Sequence, residues 1–334
     1  MAKQRRSSTR AGRDAAARRS GNPAKRNAVI EGTHRVTAGD WIAGARLRTL
    51  GMAVGTVAAG SGIAAYSQVF SLPIGLLCLA LALFLQIGVN FANDYSDGIR
   101  GTDEQRTGPS RLTGSGKAEA KTVRNVALTF LALGAAAGLA IVLITQLWWL
   151  LAVGVVAILA AWFYTGGKRP YGYMALGEVV SFVFFGPVPV VGTVYAMSGG
   201  TISEDAIYVG LAMGSFAAAS MLVNNIRDID SDRAVGKRTL ATLVGRTFSR
   251  VLYGLLMLLP FTVVGIYSLV LMHGAWVMLV MLIALPAVVI VGMGNRTKDF
   301  ILGLSLSGIS ALLVGVGFGL AFWGGVTGFN NPYL

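Results

Sequence analysis

The chain has 334 residues, of which 54% are hydrophobic and only 13% charged, against about 25% charged in soluble globular domains, so the composition excludes an ordinary soluble fold and points to lipid. The 28 Lys and Arg against 15 Asp and Glu leave a net charge of +13, which in a soluble chain would point to nucleic acid and here needs another reading. A single cysteine, Cys78, excludes an internal disulfide and a cysteine-only metal site.

Residues 1–38 are rich in Arg, Ser and Ala and have no apolar core, which excludes a secretory signal peptide. Two readings stand: a disordered basic cytoplasmic tail lying on anionic headgroups, or a mitochondrial presequence, which Asp14 and Glu31 weaken. Residues 39–334 form one unit. Crossing about 30 Å of hydrocarbon takes roughly 20 apolar residues in a helix, and nine stretches qualify, near 50–66, 72–93, 123–145, 147–165, 174–197, 206–226, 251–272, 274–294 and 300–324. The fourth reads almost as well as a buried soluble helix. The predicted fold is all-α, polytopic, with nine transmembrane helices.

With nine crossings the connecting loops fall into two sets. The tail and the loops after even-numbered segments hold every Lys and Arg except Arg124, at the start of the third segment on that same side, whereas the loops near Ser67–Ser71, Thr145–Gln146, Ser198–Asp205 and His273 hold none. Retention of basic loops in the cytoplasm predicts the N-terminus inside and the C-terminus outside. The positive excess is therefore a membrane-side bias, and no nucleic-acid partner is expected.

Small residues four apart, Gly51 with Gly55 and Gly134 with Gly138, and the Gly315, Gly317 and Gly319 series, allow close backbone packing in lipid. Pro187, Pro189, Pro260 and Pro286 are expected to kink or break their helices.

The scarce acids cluster. Asp94, Asp97, Asp103 and Glu104 follow the second segment, and Asp228, Asp230 and Asp232 follow the sixth; asparagines lead both groups, Asn90 and Asn93 in one and Asn224 and Asn225 in the other. Asn224, Asp228 and Asp232 are four apart, so a continuing helix lines them on one face over about 12 Å. Asn93 and Asp97 repeat the pair. Carboxylates four apart repel, so a shared cation is implied, and Mg²⁺ binds through one or two carboxylates plus substrate phosphates. Two facing clusters fit two Mg²⁺ ions around a diphosphate. The plainer reading, solvated loop acids paired with nearby arginines, fits one pair better than two matched clusters.

Basic residues converge on the same loops: Arg46 and Arg48, then Arg100, Arg106, Arg111 and Lys117, then Lys168 and Arg169, then Arg227, Arg233, Lys237 and Arg238. Topology alone explains many of them. Interleaving with the acids suits a magnesium diphosphate, which needs carboxylates for metal and cations for phosphate oxygens. The clusters lie four segments apart, which predicts two tandem four-helix units plus a ninth helix, with a ligand site between them.

At these motifs the chain resembles the UbiA superfamily of intramembrane prenyltransferases over nearly its whole length after the tail. That family carries an N-D-x-x-D-x-x-x-D motif on helix two and D-x-x-x-D on helix six. The second is matched by Asp228 and Asp232; the first by Asn93, Asp94 and Asp97, with Gly101 where the motif has Asp and Asp103 two residues later. The strings NDYSDGIRGTDEQRTGPSRLTGSG, YTGGKRPYGYMALGE and NNIRDIDSDRAVGKRTLATLVGR are similar to the branch that prenylates 1,4-dihydroxy-2-naphthoate. GARLRTL is too, with Leu47 in place of the expected Pro. The resemblance implies Mg²⁺-dependent transfer of a polyprenyl group from its diphosphate to that acceptor with decarboxylation, in a bacterial plasma membrane. It implies Asn93, Asp94, Asp97, Asp103, Asn224, Asp228 and Asp232 at the metals, Asp97, Asp228 and Lys168 in catalysis, and Arg46, Arg48, Arg106, Tyr164, Lys168, Arg169, Lys237 and Arg238 at the substrates. Other acceptors in the superfamily, 4-hydroxybenzoate or haem, or phosphoribosyl diphosphate with polyprenyl phosphate, remain open. So does a cation-coupled transporter, although transporters place ionisable groups near the bilayer midplane. Glu178 is the one acid within a predicted span; it marks function or simply reaches the interface.

Overall fold

The computed structural model describes residues 36–101, 111–167, 170–271 and 273–326. Among them, eight helices are long and apolar enough to span a bilayer. They are α1 (Leu47–Tyr66), α2 (Leu72–Arg100), α3 (Ala120–Thr145), α5 (Gly177–Met197), α6 (Glu204–Arg227), α7 (Leu240–Val270), α8 (Gly274–Met293) and α9 (Thr297–Gly325). The predicted fourth span is α4, Leu150–Phe163, and its 14 residues rise only about 21 Å, short of the hydrocarbon thickness. Nine apolar helices are thus present among the described residues, of which eight meet the length for a full crossing. No residue of α4 is buried, and Val155, Val156 and Leu159 are exposed, as suits a lipid-facing helix.

Burial orders the bundle. α6 is central, with 78% of its apolar window buried, whereas α2 has 22% and turns much of its surface outward. The ninth helix closes against the first through glycine. A Cβ on Gly62 would stand 2.2 Å from the carbonyl oxygen of Gly319, and one on Gly315 would stand 2.4 Å from that of Gly55. Side chains there would force the backbones apart, so these glycines are packing devices, as their spacing predicts. Gly134 likewise receives Leu85 of α2.

Pro187 and Pro260 mark helix breaks, as expected, whereas Pro286 does not. α5 is two helices, Gly177–Phe184 and Pro187–Met197, broken at Gly186, whose absent Cβ leaves room for the backbone of Gly214 on α6. α7 divides at Leu259 and Pro260. Pro286 remains inside an unbroken helix, Met281–Met293.

Two boundaries move the site. α2 runs on to Arg100, seven residues past the predicted end, so Asn93, Asp94 and Asp97 stand on helix. The expected continuous face of Asn224, Asp228 and Asp232 is interrupted: α6 stops with Asp228 as its C-cap, and Asp232 sits on a separate short helix, Ile229–Ala234. The neighbouring guanidinium of Arg227 turns onto Asp228 and holds both carboxylate oxygens, at 2.8 and 2.6 Å. Like-charged neighbours are thereby paired individually instead of stacked.

Candidate active site

Both acid clusters stand at helix C-termini, where the macrodipole is negative and disfavours carboxylates. Cations or strong donors have to compensate, and the loops supply them. Arg111 Nη1 reaches Asp97 Oδ2 at 2.5 Å and the carbonyl of Asn93 at 2.9 Å. Tyr173 donates its hydroxyl to Asp97 Oδ1 at 2.7 Å. Asp97 is buried, so this pairing takes place away from bulk water and is stronger for it.

Asp94 does a different job. Its two oxygens accept the main-chain N–H groups of Leu112 and Thr113, at 2.9 and 2.8 Å, which seats the 111–116 loop on the end of α2. Gly98 permits this, since a Cβ there would lie 2.5 Å from Thr113. The same loop is tied outward by Lys117, 2.6 Å from Asp40 on the short helix Ala38–Ala45; that ion pair, with the capping hydrogen bonds of Thr37, holds the Asp40 carboxyl well below its ordinary range.

The 164–176 loop closes over the second side. Thr165 donates to Asn93 Oδ1 at 2.7 Å, and Arg100 donates to the carbonyls of Thr165 and Gly167. Tyr173 brings the clusters together. Its ring lies under Lys237 Nζ at 5.4 Å, and Lys237 pairs with Asp232 at 3.2 Å. A parallel bridge between Met174 and Arg238, with Ala175 donating to the Arg238 carbonyl at 3.0 Å, fixes this loop to the one after the second cluster. The sequence at YTGGKRPYGY contains Tyr173, but nothing local says that it crosses to Asp97.

Below this polar mouth lies a cavity of about 180 Å³ whose lining includes Arg46, Asn93, Tyr164 and Asn224, with Ala157 and Phe184 among the apolar walls. Arg46 is placed there by a left-handed backbone (φ 55°) between the short helix and α1; such conformations in residues other than glycine concentrate at functional sites. Arg48 and Arg238 are exposed, and Arg238 contributes main chain. Tyr164 is half-buried beside Met221, with its hydroxyl 3.4 Å from the sulfur. Glu178 is buried and accepts a 2.8 Å hydrogen bond from Asn225. Asp103, Arg106, Lys168 and Arg169 lie outside the described residues.

Gly101 explains the displaced acid of the first motif. It ends α2 in the left-handed region (φ 74°), donating to the Asp97 and Gly98 carbonyls, a conformation that strains an aspartate.

The donor set suits Mg²⁺. Asp97, Asp228 and Asp232 with the amides of Asn93 and Asn224 offer only oxygen, and each carboxylate here already holds a positive side chain where a metal–diphosphate would supply the charge. Among the described residues no three acids, histidines or cysteines form one metal-binding group; Mg²⁺ typically binds through one or two carboxylates plus substrate phosphates.

The model of the UbiA prenyltransferase family matches residues 53–299. The chain is 47% identical to a 1,4-dihydroxy-2-naphthoate octaprenyltransferase of Mycobacterium tuberculosis over 251 residues, covering 74% of this chain and 82% of the relative, and 33% identical to the Escherichia coli protein of that name, covering 73% and 81%. Its fold is shared with an apo UbiA homologue from Aeropyrum pernix (TM-score 0.61, 17% identity, 80% and 96% covered). A second, from Archaeoglobus fulgidus bound to DMAPP and Mg²⁺, gives TM-score 0.56 at 16% identity, with 83% and 98% covered. The match across 53–299, with the acid-bearing ends of α2 and α6 meeting over one cavity, shows that the chain belongs to the UbiA prenyltransferase family.

Proposed function

We propose that the protein transfers a polyprenyl group from polyprenyl diphosphate to 1,4-dihydroxy-2-naphthoate, with release of carbon dioxide and diphosphate, giving demethylmenaquinol, the hydroquinone form of demethylmenaquinone. The observation that carries it is the junction of the two acid clusters through Tyr173 and Lys237 above a cavity with apolar walls. The relatives that bear this activity in their names support the acceptor.

Asn93, Asp97, Asn224, Asp228 and Asp232 would hold Mg²⁺, two ions on this reading, at the diphosphate, and the family resemblance adds Asp103 to them. Bound there, the metal supplies Lewis-acid stabilisation of charge on the leaving diphosphate. Arg46, Arg111 and Lys237 bind the remaining phosphate oxygens, and the family resemblance adds Lys168, Arg169 and Arg106 to them. Preorganised positive charge favours breaking of the allylic C–O bond. Tyr164 and the apolar walls of the cavity keep water from the carbon that becomes electron-poor. The naphthoate ring forms the new C–C bond to it, and its carboxyl group leaves as carbon dioxide. Asp94 positions the 111–116 loop that brings Arg111 to Asp97.

The donor tail also accounts for the membrane setting, since each methylene moved to water costs about 0.8 kcal/mol. The positive loops support a site at the cytoplasmic face of a bacterial plasma membrane, with the N-terminus inside and the C-terminus outside. Purified protein in detergent, given polyprenyl diphosphate and Mg²⁺, is expected to release diphosphate with 1,4-dihydroxy-2-naphthoate and far less with 4-hydroxybenzoate. Equal or greater transfer to 4-hydroxybenzoate would overturn the acceptor, and absence of Mg²⁺-dependent release with any aromatic acceptor would overturn the enzyme reading.

A further inference from the structure

Two buried polar groups that the diphosphate chemistry does not use line the cavity deeper in the bundle. Gln86 on α2, one turn below Asn90, is 7% exposed and donates Nε2 to Thr49 Oγ1 at 3.2 Å. The proton of Thr49 is committed to the carbonyl of Arg46 at 2.9 Å, so its oxygen can only accept. This fixes the orientation of the Gln86 amide and leaves Oε1 buried with no donor.

Ser220 on α6, one turn below Asn224, is 4% exposed and lines the same cavity. Its carbonyl accepts from Asn224 at 3.1 Å, but its hydroxyl has no partner. Native interiors rarely leave such groups unmatched. The two orphaned oxygens belong to helices of different halves of the chain, and the apolar part of the lining they share includes Met52, Leu85, Phe184 and Met221. Apolar walls and a few convergent polar atoms suit a flat aromatic ring with polar edges. Gln86 stands seven residues before Asn93, about 10 Å along the helix, which puts such a ring below the diphosphate, on the side where the allylic carbon lies.

We propose that Gln86 and Ser220 form the subsite for the hydroxylated ring of the aromatic acceptor, with Gln86 Oε1 accepting the proton of a ring hydroxyl and Ser220 binding a second ring oxygen. This rests on the prenyl-transfer reading and adds to it the residues that select the acceptor. A site built to take a particular O–H rejects an analogue lacking it far more strongly than a hydrophobic pocket rejects a change of shape. Gln86 is a specificity residue here, and it also draws the hydroxyl proton away from the ring oxygen, enriching the ring in electrons.

The test varies the two substrates separately for wild type, Gln86→Leu and Ser220→Ala in detergent, with the dihydroxynaphthoate acceptor and its monomethyl ethers. Gln86→Leu is expected to raise the KM for the acceptor roughly tenfold, and Ser220→Ala about threefold, with the KM for prenyl diphosphate and the Mg²⁺ requirement held within about twofold. Wild type should discriminate against one methyl ether, and Gln86→Leu should lose that discrimination. Should Gln86→Leu fail to fold, Ser220→Ala and the wild-type preference among ethers decide. Unchanged acceptor KM in the folded variants, or discrimination that survives Gln86→Leu, would overturn the subsite while leaving the transferase reading intact. Failure of the wild type to prenylate any hydroxynaphthoate would overturn both.

Discussion

Tyr173 donates its hydroxyl to Asp97 at 2.7 Å across 76 positions of sequence, while its ring carries Lys237 on the other side. One side chain thereby couples an acid on α2 to the loop after α6. Asp97 is held between Tyr173 and Arg111, so its geometry is set before any ligand arrives.

Replacing Tyr173 with Phe keeps the ring over which Lys237 lies and removes only the hydrogen bond. A lost hydrogen bond to a charged group is worth about 1.5–3 kcal/mol, so the KM for prenyl diphosphate or the Mg²⁺ concentration for half activity should rise about tenfold or more. Steady-state assays at varied Mg²⁺ check this; a wild-type Mg²⁺ dependence would mean that Tyr173 only packs.

Asp97→Asn and Asp228→Asn remove a charge from each cluster while keeping side-chain size. Loss of electrostatic stabilisation of this kind costs roughly 10²–10³ in rate, so diphosphate release should fall at least that far in either variant. Both should still purify as folded protein, with a lower unfolding temperature because Arg111 and Arg227 lose their charged partners. Near-normal turnover in either one would remove that residue from the metal assignment.

Gly101→Asp restores the acid that the general family motif has at this place. The left-handed backbone there (φ 74°) makes the change cost about 1 kcal/mol, and no gain in Mg²⁺ affinity is expected. Thermal unfolding and Mg²⁺ titration of the variant provide the comparison, and tighter Mg²⁺ binding would contradict this account of the shifted motif.

Gly62→Ala places a methyl group 2.2 Å from a backbone oxygen of α9, whereas Gly154 on α4 has nothing within 4 Å of an added Cβ. Overpacking costs about 1–3 kcal/mol. Gly62→Ala should therefore lower the unfolding temperature by several degrees relative to Gly154→Ala, and equal stability of the two would refute the close α1–α9 contact.

Much of the site was legible in the sequence because charge is expensive in lipid. Asp97, Asp228 and Asp232 stand out among only 15 acids, and their positions at the ends of the second and sixth apolar segments mark one membrane face. Arg111, Tyr173 and Thr165 lie in loops whose composition is unremarkable for a basic membrane face, so nothing local marked them as partners of Asp97 and Asn93. Gln86 and Ser220 were missed for a related reason: a lone amide or hydroxyl inside a span also serves helix packing, and only the lack of a partner distinguishes it. The interruption at Asp228 was illegible too, since it depends on how Arg227 pairs with its neighbour.

By itself the sequence determined that the chain lives in lipid, which helices carry the acids, and where glycine lets helices touch. These follow from transfer free energies and helical periodicity, both properties of short segments. The tertiary structure alone decided which base or phenol faces each acid, that Asp94 spends its oxygens on a loop instead of facing the cavity, and which polar atoms remain unmatched within it. Those outcomes depend on hydrogen bonds between segments far apart in sequence, whose geometry exists only once the loops have folded over the ends of α2 and α6.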